Sequence, residues 1–302
     1  MFEFDFIEWL SSQVTEHPDV VLGVGDDAAI LRNSEDLQVL TTDLLLEGVH
    51  FESGSATFKQ IGRKALAVSL SDVAAMGATP TVAVLTFAFP QRLEFAAAQD
   101  IFRGALELAR EYRVAIVGGD TNRWSQGLVV GSTVLGSLKH AGWPISGARP
   151  GDLLLVSGSL GGSILGKHLD FRPRCDLAAA LAATQLVHAA TDISDSLTID
   201  LAEICRQSKV GVCLDAMRVP IAAAARARSE QTGRPPLEHA LFDGEDFELL
   251  LAVDPEAADE LLTKPELAGQ LTVIGAFDSS DRLVLKREDG RAGPLPVRGY
   301  EH

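Results

Sequence analysis

Short aliphatic and β-branched runs alternate, along most of the chain, with stretches in which apolar residues recur every three or four positions. That switching between a period of two and a period near 3.6 predicts strands alternating with amphipathic helices. In the first half LQVLTTDLL, PTVAVLTFAF, AIVGGD and LVVGSTVLGSL read as strands, and Phe58 to Met76 and Arg92 to Tyr112 as helices. In the second half LLLVSG, VGVCLD, FELLLAV and LTVIGAF read as strands, and Leu177 to His188 and Leu197 to Gln207 as helices. The Ala/Arg-rich Ile221 to Gln231 reads as a helix with one solvated face. The fold class that follows is α/β or α+β with mixed sheets. Glycine and proline punctuate the middle of the chain at GWPISGARPGD, which predicts two domains, residues 1–141 and 142–302. A length of 302 residues is enough for two such cores.

Composition narrows the setting. The chain is 46% hydrophobic and 23% charged, an ordinary globular balance. No apolar run approaches the roughly 18 residues of a membrane helix. The opening MFEFDFIEWL is acidic with no basic residue, unlike a signal peptide, so a cytoplasmic protein without a membrane partner is expected. Cys175, Cys205 and Cys213 lack CxxC spacing and are expected to be buried, reduced thiols. A formal charge of −16 repels a phosphate backbone, so no nucleic-acid partner is expected. A small polyanion could still bind if divalent cations turn carboxylates into ligands.

The informative chemistry is a series of short acidic clusters at the ends of apolar runs. They are GDDAAIL from Gly25, TTD ending at Asp43, LSD ending at Asp72, GGDT around Asp120, DISD from Asp192 to Asp195, and DGED from Asp243. Any one of them is consistent with a turn or a helix cap. Asp72 stands apart, because it interrupts ALAVSLSDVAAMGA, a helix of apolar and small residues where an unpaired carboxylate is costly to bury. Unit charges about 4 Å apart repel by roughly 4 kcal/mol at an effective dielectric near 20, so converging carboxylates must be protonated, separated or metal-bound. Hard oxygen ligands without nearby Cys or His suit Mg²⁺ or Ca²⁺ better than zinc. Glycines beside nearly every cluster fit either turn chemistry or close approach to a phosphate, and the residues alone leave both open.

Two glycine motifs are decoys. GGSILGKH, Gly161 to His168, matches a P-loop except that His168 stands where a Mg²⁺-ligating Ser or Thr is required. The Gly-Val-Gly of residues 23 to 25 lacks the third glycine of a dinucleotide fingerprint, Ala28 standing in its place. HRD and DFG signatures of protein kinases are absent.

The clusters, in this order, resemble the thiamine-monophosphate kinase family, within the group that includes aminoimidazole ribonucleotide synthetase. The resemblance spans about Glu3 to His302 and rests on VGDDAAIL, TTDLLLEGVHF, KALAVSLSDVAAMGATP, IVGGDT, SGARPGD, DISD, DGEDFELL and RGYEH. It implies a ferredoxin-like amino-terminal domain whose sheet pairs in a homodimer, joined to an α/β carboxy-terminal domain. It also implies ATP as co-substrate and several Mg²⁺ ions. Carried over by position, Asp27, Thr41, Thr42, Asp43, Asp72, Asp120, Asp192 and Asp195 form the metal set, of which Asp43, Asp72, Asp120 and Asp195 are expected to be catalytic. Gly119, Asp120, Ser194 and Tyr112 fall at ATP-contacting positions, with Arg149 a candidate phosphate clamp. His50, Glu245 and Tyr300 fall at thiamine-phosphate positions, where an aromatic face and a carboxylate suit a cationic heterocycle.

The chain departs from the pattern at Ile145, where an ATP-holding arginine is usual, at Ser69, where asparagine is usual, and at Ser196, where glycine is usual. The expected reaction is in-line transfer of the ATP γ-phosphoryl group to the phosphate of thiamine monophosphate, giving thiamine diphosphate. A phosphate acceptor is already anionic, so alignment and charge neutralisation carry the catalysis. Two alternatives remain at this level: an enzyme of the same group acting on another acceptor, and a non-catalytic ATP- and Mg²⁺-binding regulator. Product analysis with thiamine phosphates separates them.

Overall fold

The computed structural model describes residues 20–22, 26–33 and 36–300. The acidic opening stretch, the Gly-Val-Gly of residues 23 to 25 and the last two residues of RGYEH lie outside the described residues.

The first sheet is built from β1 (Val20–Leu22), β2 (Ala29–Asn33), β3 (Asp36–Leu46), β4 (Thr79–Pro90), β5 (Ala115–Trp124) and β6 (Val129–Leu138). Its spatial order is β1-β2-β3-β6-β4-β5, antiparallel except for the parallel pair β4 and β5. Two helices, α1 (Phe58–Ala75) and α2 (Phe95–Glu111), link β3 to β4 and β4 to β5. A capping box starts α1: the Thr57 hydroxyl accepts from Gln60 N, and Gln60 Oε1 accepts from Thr57 N. Glycine lets the two helices meet backbone to backbone. A Cβ on Gly62 would lie 1.7 Å from the Ile101 carbonyl oxygen, and one on Gly104 would lie 1.9 Å from that of Lys59.

The second half contains β7 (Leu153–Ser157), α3 (Lys167–Asp170), α4 (Cys175–Ala182), β8 (Val187–Asp192), α5 (Leu197–Ser208), β9 (Gly211–Asp215), α6 (Ala223–Thr232) and α7 (Pro236–Phe242). It closes with β10 (Leu249–Val253), α8 (Pro255–Thr263), β11 (Leu271–Asp278), β12 (Leu283–Lys286) and β13 (Ala292–Pro294). Its sheet order is β13-β12-β9-β11-β7-β10-β8, with β9 and β12 the parallel pair. The central strands LLLVS and LLLAV are apolar but for Ser157 because both faces of this sheet are covered. The sheets divide between residues 138 and 153, yet the apolar core does not: one cluster runs from Ile30, Leu66 and Leu85 to Leu155, Phe171, Leu249 and Leu261. Helix α1 explains this continuity. It packs on β3 and β6 and also against α3, α4 and β8, so it is buried on nearly every side.

The strand and helix expectations hold in kind, with one reversal. The helix expected over Leu177 to His188 ends at Ala182, and Val187–Asp192 is strand β8. The Thr184 hydroxyl binds the Leu181 carbonyl and accepts from Leu186 N, while Gln185 turns to φ 59°, which stops the helix. Helix α2 starts at Phe95, three residues later than expected, because β4 continues to Pro90 and residues 91 and 92 form a turn. Cys175 and Cys205 are buried thiols, whereas Cys213 is only half-buried.

Candidate active site

Carboxylates from both halves of the chain converge where α1 meets β8. Ligand oxygens of Asp27, Asp72 and Asp192 lie within 4.8 Å of one another. The sequence placed the acidic clusters at the ends of apolar runs; Asp192 does end a strand and Asp72 lies in the helix expected for it, but Asp43 and Asp120 lie within strands. Asp43 reaches the site because strand alternation puts it, like Thr41, on the face that carries α1. Hydroxyls hold the acids in place. Thr41 Oγ1 donates to Asp72 Oδ2 at 2.5 Å, Ser69 Oγ to Asp43 Oδ2 at 2.7 Å, and Thr191 Oγ1 to Asp27 Oδ1 at 3.0 Å. Ser71 Oγ donates to Asp192 Oδ2.

Burial raises the pKa of every member, and the charge of neighbouring acids raises those of Asp27, Asp72 and Asp192 further. Asp192 is pushed up to about 7 by burial first, with the charges of Asp43 and Asp195 adding to the effect. Asp27 and Asp72 are driven well above the usual carboxylate range by burial and then by one another's neighbours, Asp192 for the first and Asp43 for the second. Asp43 is raised by burial against the opposing hydrogen bonds from Ser69 and Asp72. The neighbouring Asp26 is pushed up to about 6 by burial although Ile145 N and Asp27 N donate to it. Asp27 Oδ2 is buried with no hydrogen-bond partner. Hard oxygen donors, mutual repulsion and an orphaned carboxylate oxygen together fit a divalent cation of the Mg²⁺ type.

Other expected residues take different places. Thr42 lies on the opposite face of β3, its hydroxyl paired with Thr133 and the Ser132 carbonyl. Asp120 is also turned away: it stands opposite Thr86 on β5, exposed, and accepts from Asn122. Gly119 stays bare because a Cβ there would lie 1.7 Å from the Leu85 carbonyl oxygen. Tyr112 caps α2 and donates to the Pro173 carbonyl at 3.0 Å. Burial pushes its hydroxyl up to about 12. The Arg149 guanidinium meets His188 at the start of β8, four residues along the strand from Asp192, which is about 13 Å. Ile145 is buried, so its side chain offers a phosphate nothing.

The acceptor-side residues do come together. Glu245, at φ 60°, donates its N–H to the Ser194 carbonyl and pairs its carboxylate with Lys64, which also donates to the His50 carbonyl. Tyr300 N donates to the Asp195 carbonyl, and just before it Gly299 leaves no room for a Cβ against Ser196 Oγ and Asp195 O. Ser196 caps α5 and also holds the Arg298 carbonyl, so the hydroxyl that replaces the usual glycine straps residues 298 to 300 across Asp195.

Sequence reasoning missed several groups. The GGSILGK loop is a clasp for carboxylates: Gly161 N donates to Asp246, Gly162 N to Asp243, and Lys167 pairs with Glu248. Arg174 grips both oxygens of Glu248 at 2.6 Å. Asp246 is pushed up to about 7 by burial, and its Oδ1 has no hydrogen-bond partner. Beside β5, a groove of about 400 Å³ is lined by Phe87, Phe89, Phe95 and Phe102, with Thr121 at its edge. The aromatic spacing in AFPQRLEF gave no warning of it, since these residues converge only when β4 lies beside α2.

Models of known families match both halves: the AIR synthase related protein N-terminal domain over residues 25–138 and the AIR synthase related protein C-terminal domain over residues 149–288. The thiamine-monophosphate kinase of Rhodopirellula baltica is 44% identical, over 85% of this chain and 83% of its own. That of Bacillus subtilis is 30% identical over 100% and 99%. A solved structure described as AaThiL complexed with AMPPCP and TMP superposes with a TM-score of 0.87 at 27% identity, covering 99% of this chain and 96% of that one.

Proposed function

This chain belongs to the thiamine-monophosphate kinase family, and we propose that it transfers the γ-phosphoryl group of ATP to the phosphate of thiamine monophosphate, yielding thiamine diphosphate and ADP. The observation that carries the reading is the convergence of Asp27, Asp72 and Asp192 from both halves of the chain, with Asp27 Oδ2 buried and unpartnered. In this reading Asp27, Asp43, Asp72, Asp192 and Asp195 hold Mg²⁺. A cation held by these carboxylates would supply charge neutralisation for the phosphates.

The residues themselves supply alignment. Thr41, Ser69, Ser71 and Thr191 each fix one carboxylate by a hydrogen bond, so the acids need little reorganisation when the phosphates arrive. The acceptor oxygen is ionised at neutral pH, which removes the need for a strong general base. The four-phenylalanine groove next to Thr121 is the proposed seat of the nucleobase, since it offers apolar faces between β4 and α2. Phe102 thereby takes the role that the sequence gave to Tyr112. Glu245, His50 and Tyr300 hold the acceptor on the other side of Ser194 and Asp195.

A homodimer is part of the proposal. Among the described residues no helix packs on the face of the first sheet opposite α1, where Leu40, Leu44, Leu135, Val82 and Val84 stand in register. Leu44 is 53% exposed, and an apolar sheet face of this kind is stable when a second sheet covers it. No helix among the described residues is long and apolar enough to cross a membrane, and we place the enzyme with its ATP in the cytoplasm.

The test is direct. Purified protein is incubated with ATP, Mg²⁺ and either thiamine monophosphate or free thiamine, and the thiamine phosphates are separated chromatographically. Diphosphate formed from the monophosphate alone, and lost with chelator, is the expected result. Absence of product while ATP still binds would move the assignment to another acceptor or to a regulator.

A further inference from the structure

Neither metal binding nor helix packing explains Lys64. Its side chain is 0% exposed, on a helix whose other buried positions are apolar or small. An ammonium taken fully out of water is costly, and a methionine of similar length would fill the same space. The charge is retained between two groups that come from different parts of the chain. Nζ donates to the His50 carbonyl at 2.8 Å and to Glu245 Oε1 at 2.5 Å. Burial depresses the Lys64 pKa, while the charge and the hydrogen bond of Glu245 act in the opposite direction.

The surroundings fix Glu245 from its other end. Its backbone N–H is bound to the Ser194 carbonyl, and Gly244 before it is pressed to within 2.7 Å, at the position of a Cβ, of the Ser194 and Asp195 carbonyl oxygens. The carboxylate is 28% exposed, so it is held by Lys64 yet still open to solvent. The His50 loop is tied to the same point through its carbonyl, while His50 Nδ1 accepts from Leu46 N.

We propose that Lys64 is a positioning residue for the acceptor, clamping Glu245 and the His50 loop at one spacing so that the Glu245 carboxylate faces the cationic ring of thiamine monophosphate. The inference rests on the reading of Glu245 and His50 as acceptor-holding groups. A lysine paired this way acts on acceptor affinity through Glu245 and leaves the nucleotide side alone.

The experiment is a double-mutant cycle with K64M, E245Q and the double variant, reading KM for thiamine monophosphate, KM for ATP and kcat, with K64R as the conservative rescue. Each single variant should raise the acceptor KM about 10-fold or more, and the double variant no further than the larger single effect, as for residues acting as one unit. KM for ATP should stay within about twofold, and K64R should recover part of the loss. Multiplying effects in the double variant, an equal rise in KM for ATP, or K64R as impaired as K64M would overturn the role. If K64M does not fold, K64R with E245Q completes the same cycle. Wild-type protein that makes no thiamine diphosphate refutes the functional reading itself, an outcome distinct from additivity in the cycle.

Discussion

Asp72 shows most sharply what a single residue does here. It is half-buried in the last turn of α1, accepts from Thr41, and is surrounded by Asp27, Asp43 and Asp192. Asp72→Asn should keep the fold and lower kcat by about 1,000-fold or more, because a site that works by charge neutralisation loses a ligand. The same change should raise the thermal midpoint measured in chelator, since it removes a repelling carboxyl; a lowered midpoint would show that the cluster is held together in some other way. Phe102→Ala, on the opposite side, should raise KM for ATP about 10-fold with the acceptor KM unchanged if the aromatic groove seats the nucleobase. Asp27, Asp43, Asp72 and Asp192 were legible in the sequence because acids beside apolar runs are conspicuous. The pairings of Lys64 and Arg174 were not, for their partners lie far away in the chain: Glu245 is 181 residues from Lys64, and Glu248 is 74 from Arg174. Spacing along a sequence carries no trace of such pairs.

At the level of elements, the glycine contact between α1 and α2 sets how closely the two helices approach. Gly62→Ala puts a methyl group 1.7 Å from the Ile101 carbonyl oxygen and must push the helices apart. A loss of about 1–3 kcal/mol in urea unfolding is expected, with activity falling through displaced Asp72 rather than through lost chemistry. The long periodic elements were readable because their apolar positions keep a constant phase. Strand β8 was misread because Leu177 to His188 is rich in Ala and Leu, good helix formers, and only the Thr184–Gln185 stop and pairing with β10 decide otherwise. The short strands β1, β12 and β13 have too few residues for any period to register.

For the whole molecule, two expectations follow. Stability without divalent cations should depend on pH in a direction set by the raised carboxyls. Asp26 at about 6 and Asp192 and Asp246 at about 7 bind protons in the folded state that the unfolded chain has released. Folding therefore gains from low pH, and the thermal midpoint in chelator should fall as pH rises from about 4 through about 7. Mg²⁺ should flatten the part of that slope owed to Asp192 and leave the part owed to Asp246, which a melting series with and without cation would read. Leu44→Glu, on the uncovered sheet face, should convert a dimer to a monomer in light-scattering chromatography; an unchanged mass would place the interface elsewhere.

Helix α1 also acts as a gauge. It carries Lys64 near its start and Asp72 near its end, and eight residues of helix separate them by about 12 Å. The span between acceptor and donor is therefore counted in helical steps. One inserted residue between them would rotate Lys64 by about 100° away from Glu245, whereas four would nearly restore the phase and lengthen the span by about 6 Å. If Lys64 and Asp72 set the two ends of the site as proposed, an insertion in α1 lengthens the span between them only in jumps of about one turn.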